Sequence, residues 1–226
     1  MLRGKEKSPA EKKAETMTRF AYYQEMKALA RSIRAKYGIT CFRVLPNTLK
    51  QILKAEGVHY IDLRTLPKKV RGAYFYEPNN ISVLIQKGLP RDPYAFTLAH
   101  ELKHNLVDRG NGIQLFCTVM NINEHVEIGA EVFAAEFLFP EEDFMRELKS
   151  MLPEGKAINP KIVVTFKKKF DTTLSYQGIV KRLEYLQLIR KDEYKKIQWK
   201  KLEEEVFGVP YYKARGRKNS RDRTFL

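Results

Sequence analysis

Cysteine, histidine and long apolar runs are scarce in this 226-residue chain, and each scarcity sets a limit. Cys41 and Cys117 stand alone, without C-x-x-C spacing, and read as reduced, partly buried thiols of a cytoplasmic protein rather than a disulfide framework. No run of about 18 apolar residues occurs, which argues against a membrane helix. No basic start leads into a short apolar segment, so a secretory signal is not expected either. What is present is enough to fold: 43% hydrophobic and 12% aromatic residues can bury one core and a small second unit.

Two of the only four histidines fall in His100-Glu101-Leu102-Lys103-His104, an H-E-x-x-H pattern. Residues four apart share a helix face, so both imidazoles can reach one metal ion, with Glu101 beside them to address a water. The surrounding residues favour a helix. Ala95, Ala99, Leu102 and Leu106 form an apolar stripe from which the histidines point away, towards a cleft. Asp92 is the expected N-cap, with Pro93 in the first turn.

Catalytic zinc usually takes three protein ligands, and a third histidine at the longer H-E-x-x-H-x-x-G-x-x-H spacing is absent: positions 107 and 110 are Val and Gly. The next candidates are Glu127 and Glu131, one helical turn apart in a stretch from Val126 to Phe139 that Pro140 ends. One of this pair would ligate and the other would orient a ligating histidine. Two glutamates at this spacing are otherwise an ordinary solvated face.

The segments Phe96-Thr97-Leu98-Ala99-His100-Glu101-Leu102-Lys103-His104 and Glu127 to Pro140 resemble the ImmA/IrrE family of metallopeptidases. That family reads F-T-x-A-H-E-x-G-H and then E-x-E-A-N-x-F-A-A-E-L-L-M-P. The resemblance extends over roughly residues 20–190 and implies a glutamate-type zincin. It makes His100, His104 and Glu127 the metal ligands and Glu101 the general base. Glu131 takes the place of the family's Asn as the group that orients a ligating imidazole. It implies one zinc ion per chain, with manganese as the alternative metal. Its implied partner is a protein substrate, a helix-turn-helix repressor controlling stress-response or mobile-element genes. Lys103 replaces the usual Gly and is expected to point to solvent, and Gly129 replaces the second Glu. For an oxyanion donor, His125 is the first candidate, then Tyr74 and Tyr76.

The remaining elements predict an α+β protein, a minimal zincin-like domain with a small, mainly antiparallel sheet packed on helices. Ser8-Pro9-Ala10-Glu11 is a capping box opening a long helix that Gly38 stops, and Asn47 caps a short second helix ended by Gly57. Val58–Leu63 alternates as a strand, and Gly72–Tyr76 with Ile81–Ile85 reads as a hairpin. The edge of such a sheet is suited to holding an extended peptide. Residues 1–155 form this domain; 156–207 form a helix-turn-helix-like unit with helices Pro160–Phe170 and Ser175–Leu188; 208–226 form a basic, disordered tail.

The net charge of +15 is concentrated late: positions 161–201 hold twelve bases against four acids, and the tail six against one. Lys167, Lys168, Lys169, Lys181 and Arg182 are the candidate phosphate contacts for weak DNA or RNA binding. The alternative to a peptidase is therefore a zinc-containing regulatory protein that binds nucleic acid and has little or no peptidase activity.

Overall fold

The computed structural model describes residues 9–67, 70–77, 79–109, 115–116, 124–152 and 157–208. Contacts divide the chain into two compact units, Met1–Pro140 and Glu141–Leu226. The expectations for Ser8, Pro78, Cys117, the Pro153 turn and the basic tail beyond Gly208 lie outside the described residues.

The first unit is α+β, a small sheet packed on helices. Helix α1 (Pro9–Lys36) ends where Gly38 turns back at φ 61°, as its sequence predicts. Met26, Ala30 and Ile33 are buried along it. Arg34 is buried too, and its guanidinium donates to the carbonyls of Phe137 (2.6 Å) and Cys41 (3.0 Å). Cys41 itself is exposed rather than partly buried. Helix α2 (Pro46–Ala55) starts one residue before the expected cap, because Pro46 occupies the first helical position, and no side chain caps it. Gly57, at φ 88°, ends it.

Strands β1 (Tyr60–Arg64), β2 (Gly72–Phe75), β3 (Ser82–Gln86) and β4 (Leu115–Phe116) form one sheet in the order β1-β3-β2-β4. The predicted hairpin is present: β2 runs antiparallel to β3 in the register Gly72↔Ile85 to Phe75↔Ser82. β1 pairs parallel to β3, while β4 adds a second antiparallel pairing to β2. Val83 and Ile85 are fully buried between half-buried neighbours, so one face of β3 meets the core. Strand β1 is an edge, with Tyr60 and Leu63 exposed.

Helices α3 (Arg91–Val107) and α4 (Glu124–Leu138) complete the unit. α3 begins at Arg91 behind Pro90, so Asp92 lies inside the first turn instead of capping it. There its charge still complements the helix N-terminus. α3 packs on α2, α4 and β2, and α4 packs against α1. Ala130, Phe133, Ala134 and Phe137 are fully buried along α4.

The second unit holds α5 (Glu141–Met151), α6 (Pro160–Lys169), α7 (Tyr176–Tyr185) and α8 (Trp199–Phe207). Phe144 of α5 packs on Phe166 of α6, with ring centroids 4.9 Å apart. Asn159 caps α6 through the amide of Ile162, and Ser175 caps α7 through that of Gly178. α7 stops short of Leu188 because Gln187 adopts φ 56° and the Leu188 amide folds back to the Leu183 carbonyl. Trp199 stacks on Tyr176 at 5.2 Å. Among the described residues, no helix is long and apolar enough to cross a membrane.

Glu56, at the end of α2, ties three helices together. Its carboxylate accepts from Lys36 Nζ (2.7 Å) and Tyr37 Oη (2.6 Å), and its carbonyl accepts from Asn105 (2.9 Å) and Arg109 (2.6 Å). Burial alone would raise its pKa, but the hydrogen bonds from Lys36 and Tyr37 outweigh burial and hold it below the ordinary value. A depressed carboxylate stabilises the fold above its unfolded pKa, near 4.3, and loses that contribution as pH falls through the lower folded value. Glu56→Gln is expected to cost about 1 kcal/mol in urea unfolding at pH 7, with Lys36 largely screened by solvent. The difference from wild type should shrink towards zero in the acid range.

Candidate metal centre

Helix α3 is enclosed on nearly every side: Ala95 and all residues from Thr97 to Asn105 are buried. The single packed stripe that the sequence predicts is therefore an underestimate, because α2, α4 and β2 cover the helix together. His104 is fully buried and His100 is 8% exposed. Their Nε2 atoms converge to 3.1 Å. Glu127, from the first turns of α4, places Oε2 3.2 Å from His100 Nε2 and Oε1 3.5 Å from His104 Nε2. Donor atoms about 2.0–2.1 Å from one tetrahedral ion stand roughly 3.3 Å apart. The His100–His104 and His100–Glu127 Oε2 separations match two such edges, and the other Glu127 oxygen faces His104, so that one donor atom from each residue lies within 4.8 Å of the others. Two imidazole nitrogens and a carboxylate are also the donor types that zinc accepts. The residues present fit the metal.

His104 is held from behind. His104 Nδ1 donates to Asp108 Oδ2 at 2.7 Å, which leaves the Nε2 lone pair facing the other donors. The same Asp108 oxygen accepts from Lys103 Nζ at 2.8 Å, and Lys103 Nζ also donates to the Val126 carbonyl at 3.2 Å. Lys103 is thus fully buried, against the expectation that it faces solvent. The reason is local: Asp108, a carbonyl of α4 and the face of Tyr22, 5.7 Å away, together replace its hydration. The i, i+4 pair His104 and Asp108 was visible in the sequence as H-x-x-x-D, the one signal that would have found this partner. Asp108, not Glu131, is the group bonded to His104. Glu131 is felt at His100, where its charge helps to raise the imidazole pKa.

The titration directions express the same arrangement. Burial lowers His104, and the nearby charge of His100 adds to that; the bond to Asp108 opposes both. For His100, burial is outweighed by the bond to Glu127 and the charges of Glu101, Glu127 and Glu131, and its pKa rises. Burial would raise Asp108 and Glu127, yet their cationic and imidazole partners hold both below the usual range. The centre thus keeps its carboxylates ionised while buried.

Glu101 is completely buried and lies against β2. A Cβ added at Gly72 would stand 2.1 Å from Glu101 Oε1 and 2.7 Å from Thr97 Cγ2, so Gly72 is the space in which this carboxylate sits. The oxyanion candidates are dispersed. His125 is half-buried among aromatic rings, 4.5 Å from Tyr22 and 5.4 Å from Tyr23 between centroids, with Nδ1 3.4 Å from the Tyr23 hydroxyl. Tyr74 is fully buried, and its hydroxyl donates to Asn105 Oδ1 at 3.2 Å. Tyr76 is half-buried just beyond β2.

In the second unit the candidate phosphate contacts separate into two groups. Lys168, Lys169 and Lys181 are exposed. Lys167 and Arg182 are not: they are 3% and 7% exposed. The Lys167 ammonium donates to the carbonyls of Thr172 and Leu174 in the turn between α6 and α7, and Arg182 lies over the Phe144 ring. Both cations hold the unit together and neither is free for a phosphate.

The family model for peptidase M78, described as the IrrE N-terminal-like domain, matches residues 53–172. The chain belongs to this family. The matched span includes the H-E-x-x-H helix, Glu127 and the strands beside them. No curated protein matches the chain. Among solved structures, a Mycobacterium tuberculosis transcriptional regulator aligns with a TM-score of 0.52 at 18% identity, over 74% of this chain and 49% of that protein. That likeness concerns the fold alone, and this IrrE-like chain spans about half the length of that regulator.

Zinc supplied to the purified chain and counted by inductively coupled plasma mass spectrometry should reach about one ion per chain. Glu127→Ala should weaken that binding by upwards of about 100-fold, more than loss of an outer hydrogen bond costs. Full occupancy in the variant would exclude Glu127 as a ligand.

Proposed function

We propose that this protein is a zinc-dependent endopeptidase whose centre is formed by His100, His104 and Glu127, with Glu101 as the general base. One observation carries the reading: donor atoms of His100, His104 and Glu127, from two helices, converge to within 4.8 Å of one another, with a buried glutamate next to His100. Zinc bound there supplies the Lewis acidity that makes water nucleophilic at neutral pH and polarises a carbonyl. Glu101 takes the proton of the attacking water and returns it to the leaving amine. The missing side chain at Gly72 gives the Glu101 carboxylate its place against β2. Asp108 keeps the proton of His104 on Nδ1, and Glu131 adds negative charge around His100.

The substrate we favour is a helix-turn-helix repressor governing stress-response or mobile-element genes, as the family resemblance implies. An extended segment of it would pair with an exposed sheet edge, β1 being one. Manganese is the alternative metal, and the cytoplasm is the compartment in which such a repressor is met.

A second reading keeps the metal but makes the protein a nucleic-acid-binding regulator with little peptidase activity. The exposed Lys168, Lys169 and Lys181 favour it, while the buried Lys167 and Arg182 reduce the cationic surface on which it rests.

Cleavage of a proteome-derived peptide library, read by mass spectrometry, separates the two. The zinc-loaded wild type should generate new termini, and Glu101→Gln should retain zinc but cut at least about 100-fold more slowly. Gly72→Ala should behave similarly, since its methyl group displaces the same carboxylate. Zinc-loaded wild type that cleaves nothing, or cleavage unchanged in Glu101→Gln, would defeat the peptidase reading.

A further inference from the structure

A lysine with no exposed surface stands one residue before the second histidine, and its ammonium is connected on three sides. Lys103 Nζ reaches Asp108 Oδ2 on the same chain segment, the Val126 carbonyl in the first turn of α4, and the Tyr22 ring of α1. Val126 directly precedes Glu127, and Asp108 Oδ2 is the atom that also accepts from His104. An unbroken polar chain therefore runs from the backbone beside one metal-site residue, through Lys103 and Asp108, to the imidazole of another.

Gly129 completes the arrangement. A Cβ there would stand 2.5 Å from Tyr22 Cε1 and 2.6 Å from its hydroxyl oxygen, so only glycine lets this ring close over the α3–α4 contact. Lys103 and Gly129 are two positions at which the chain departs from the family pattern quoted above. Tyr22 touches both, which makes the two departures parts of one local device rather than independent changes.

We propose that Lys103 is a positioning residue that clamps the Glu127-bearing turn of α4 to the His104–Asp108 pair, assembling the donor set before metal arrives. A buried ammonium bonded to a carboxylate and a carbonyl is costly to leave half-paired, which fixes both partners in one geometry. The inference rests on the metal-centre reading given above.

The test uses the full chain, stripped of metal, as wild type, Lys103→Met, Lys103→Gln, Asp108→Asn and the double variant Lys103→Met/Asp108→Asn. Zinc affinity is read by competition with a chromophoric chelator, donor geometry by the visible absorption of added cobalt(II), and fold stability by thermal unfolding of the metal-free protein. Ser175→Ala, which removes the N-cap of α7 in the second unit, serves as a variant destabilised without touching the centre.

Lys103→Met should bind zinc about 10–100-fold more weakly than wild type, with an altered cobalt spectrum. Ser175→Ala should lower the melting temperature and leave affinity unchanged. The double variant should be little worse than the poorer single one, because both substitutions break the same polar chain. Wild-type affinity and spectrum in Lys103→Met, with only the melting temperature reduced, would overturn the proposal and leave a plain buried ion pair. Lys103→Gln and Asp108→Asn decide the matter by the same readouts if the methionine variant does not fold. Wild type that binds neither zinc nor cobalt would remove the metal reading itself, a different failure from a variant that binds like wild type.

Discussion

Everything at the centre depends on how closely α4 approaches α3. His100 and His104 are placed by one helix, but the third donor comes from Glu127, on a separate helix. That helix must approach until Oε2 is 3.2 Å from an imidazole nitrogen. Small residues permit this: Gly129 accepts the Tyr22 ring, and Ala130 and Ala134 are wholly buried on α4. Arg34 and Arg31 hold the far end of α4 to α1 through the Phe137 carbonyl and the Glu136 carboxylate. The helix bearing the third donor is thus pinned along its length.

Such proximity has an electrostatic consequence. Glu101, Glu127 and Asp108 place three carboxylates around two imidazoles, with Lys103 the ammonium among them. Buried carboxylates are costly unless paired, and Asp108 and Glu127 stay ionised because imidazoles and the ammonium face them. A divalent cation among the donors would take over from the His100 proton the task of facing the Glu127 carboxylate. Without the ion, the bond to Glu127 outweighs burial and raises the His100 pKa, while burial and the charge of His100 lower that of His104 despite its bond to Asp108.

The local features of the chain were readable, and the tertiary ones were not. H-E-x-x-H, the stop at Gly38, the β2–β3 hairpin and the Ser175 start of α7 each depend on residues close in sequence, where periodicity and turn chemistry act. The parallel β1–β3 pairing depends on strands with a hairpin partner between them, and no local pattern specifies it. Asn47 and Asp92 look like caps, yet neither begins its helix, because prolines nearby set the first turns. Lysines were the hardest to place. Lys103 and Lys167 read as surface charges, and both are buried because carbonyls and, for Lys103, a carboxylate surround the ammonium. Composition counts charges without showing which of them are neutralised.

Access follows from the same burial. Of the three donor residues, His104 has no exposed side-chain surface, while the side chains of His100 and Glu127 retain 10% and 16%. Solvent, and anything carried with it, therefore meets the donor triangle from the His100–Glu127 side. Asp108 and Lys103 occupy the opposite side, behind His104, and Glu101 is sealed beneath Gly72. On the proposed reading of Glu101 as the base, its carboxylate would need no new packing to be held in place, because the space at Gly72 already seats it.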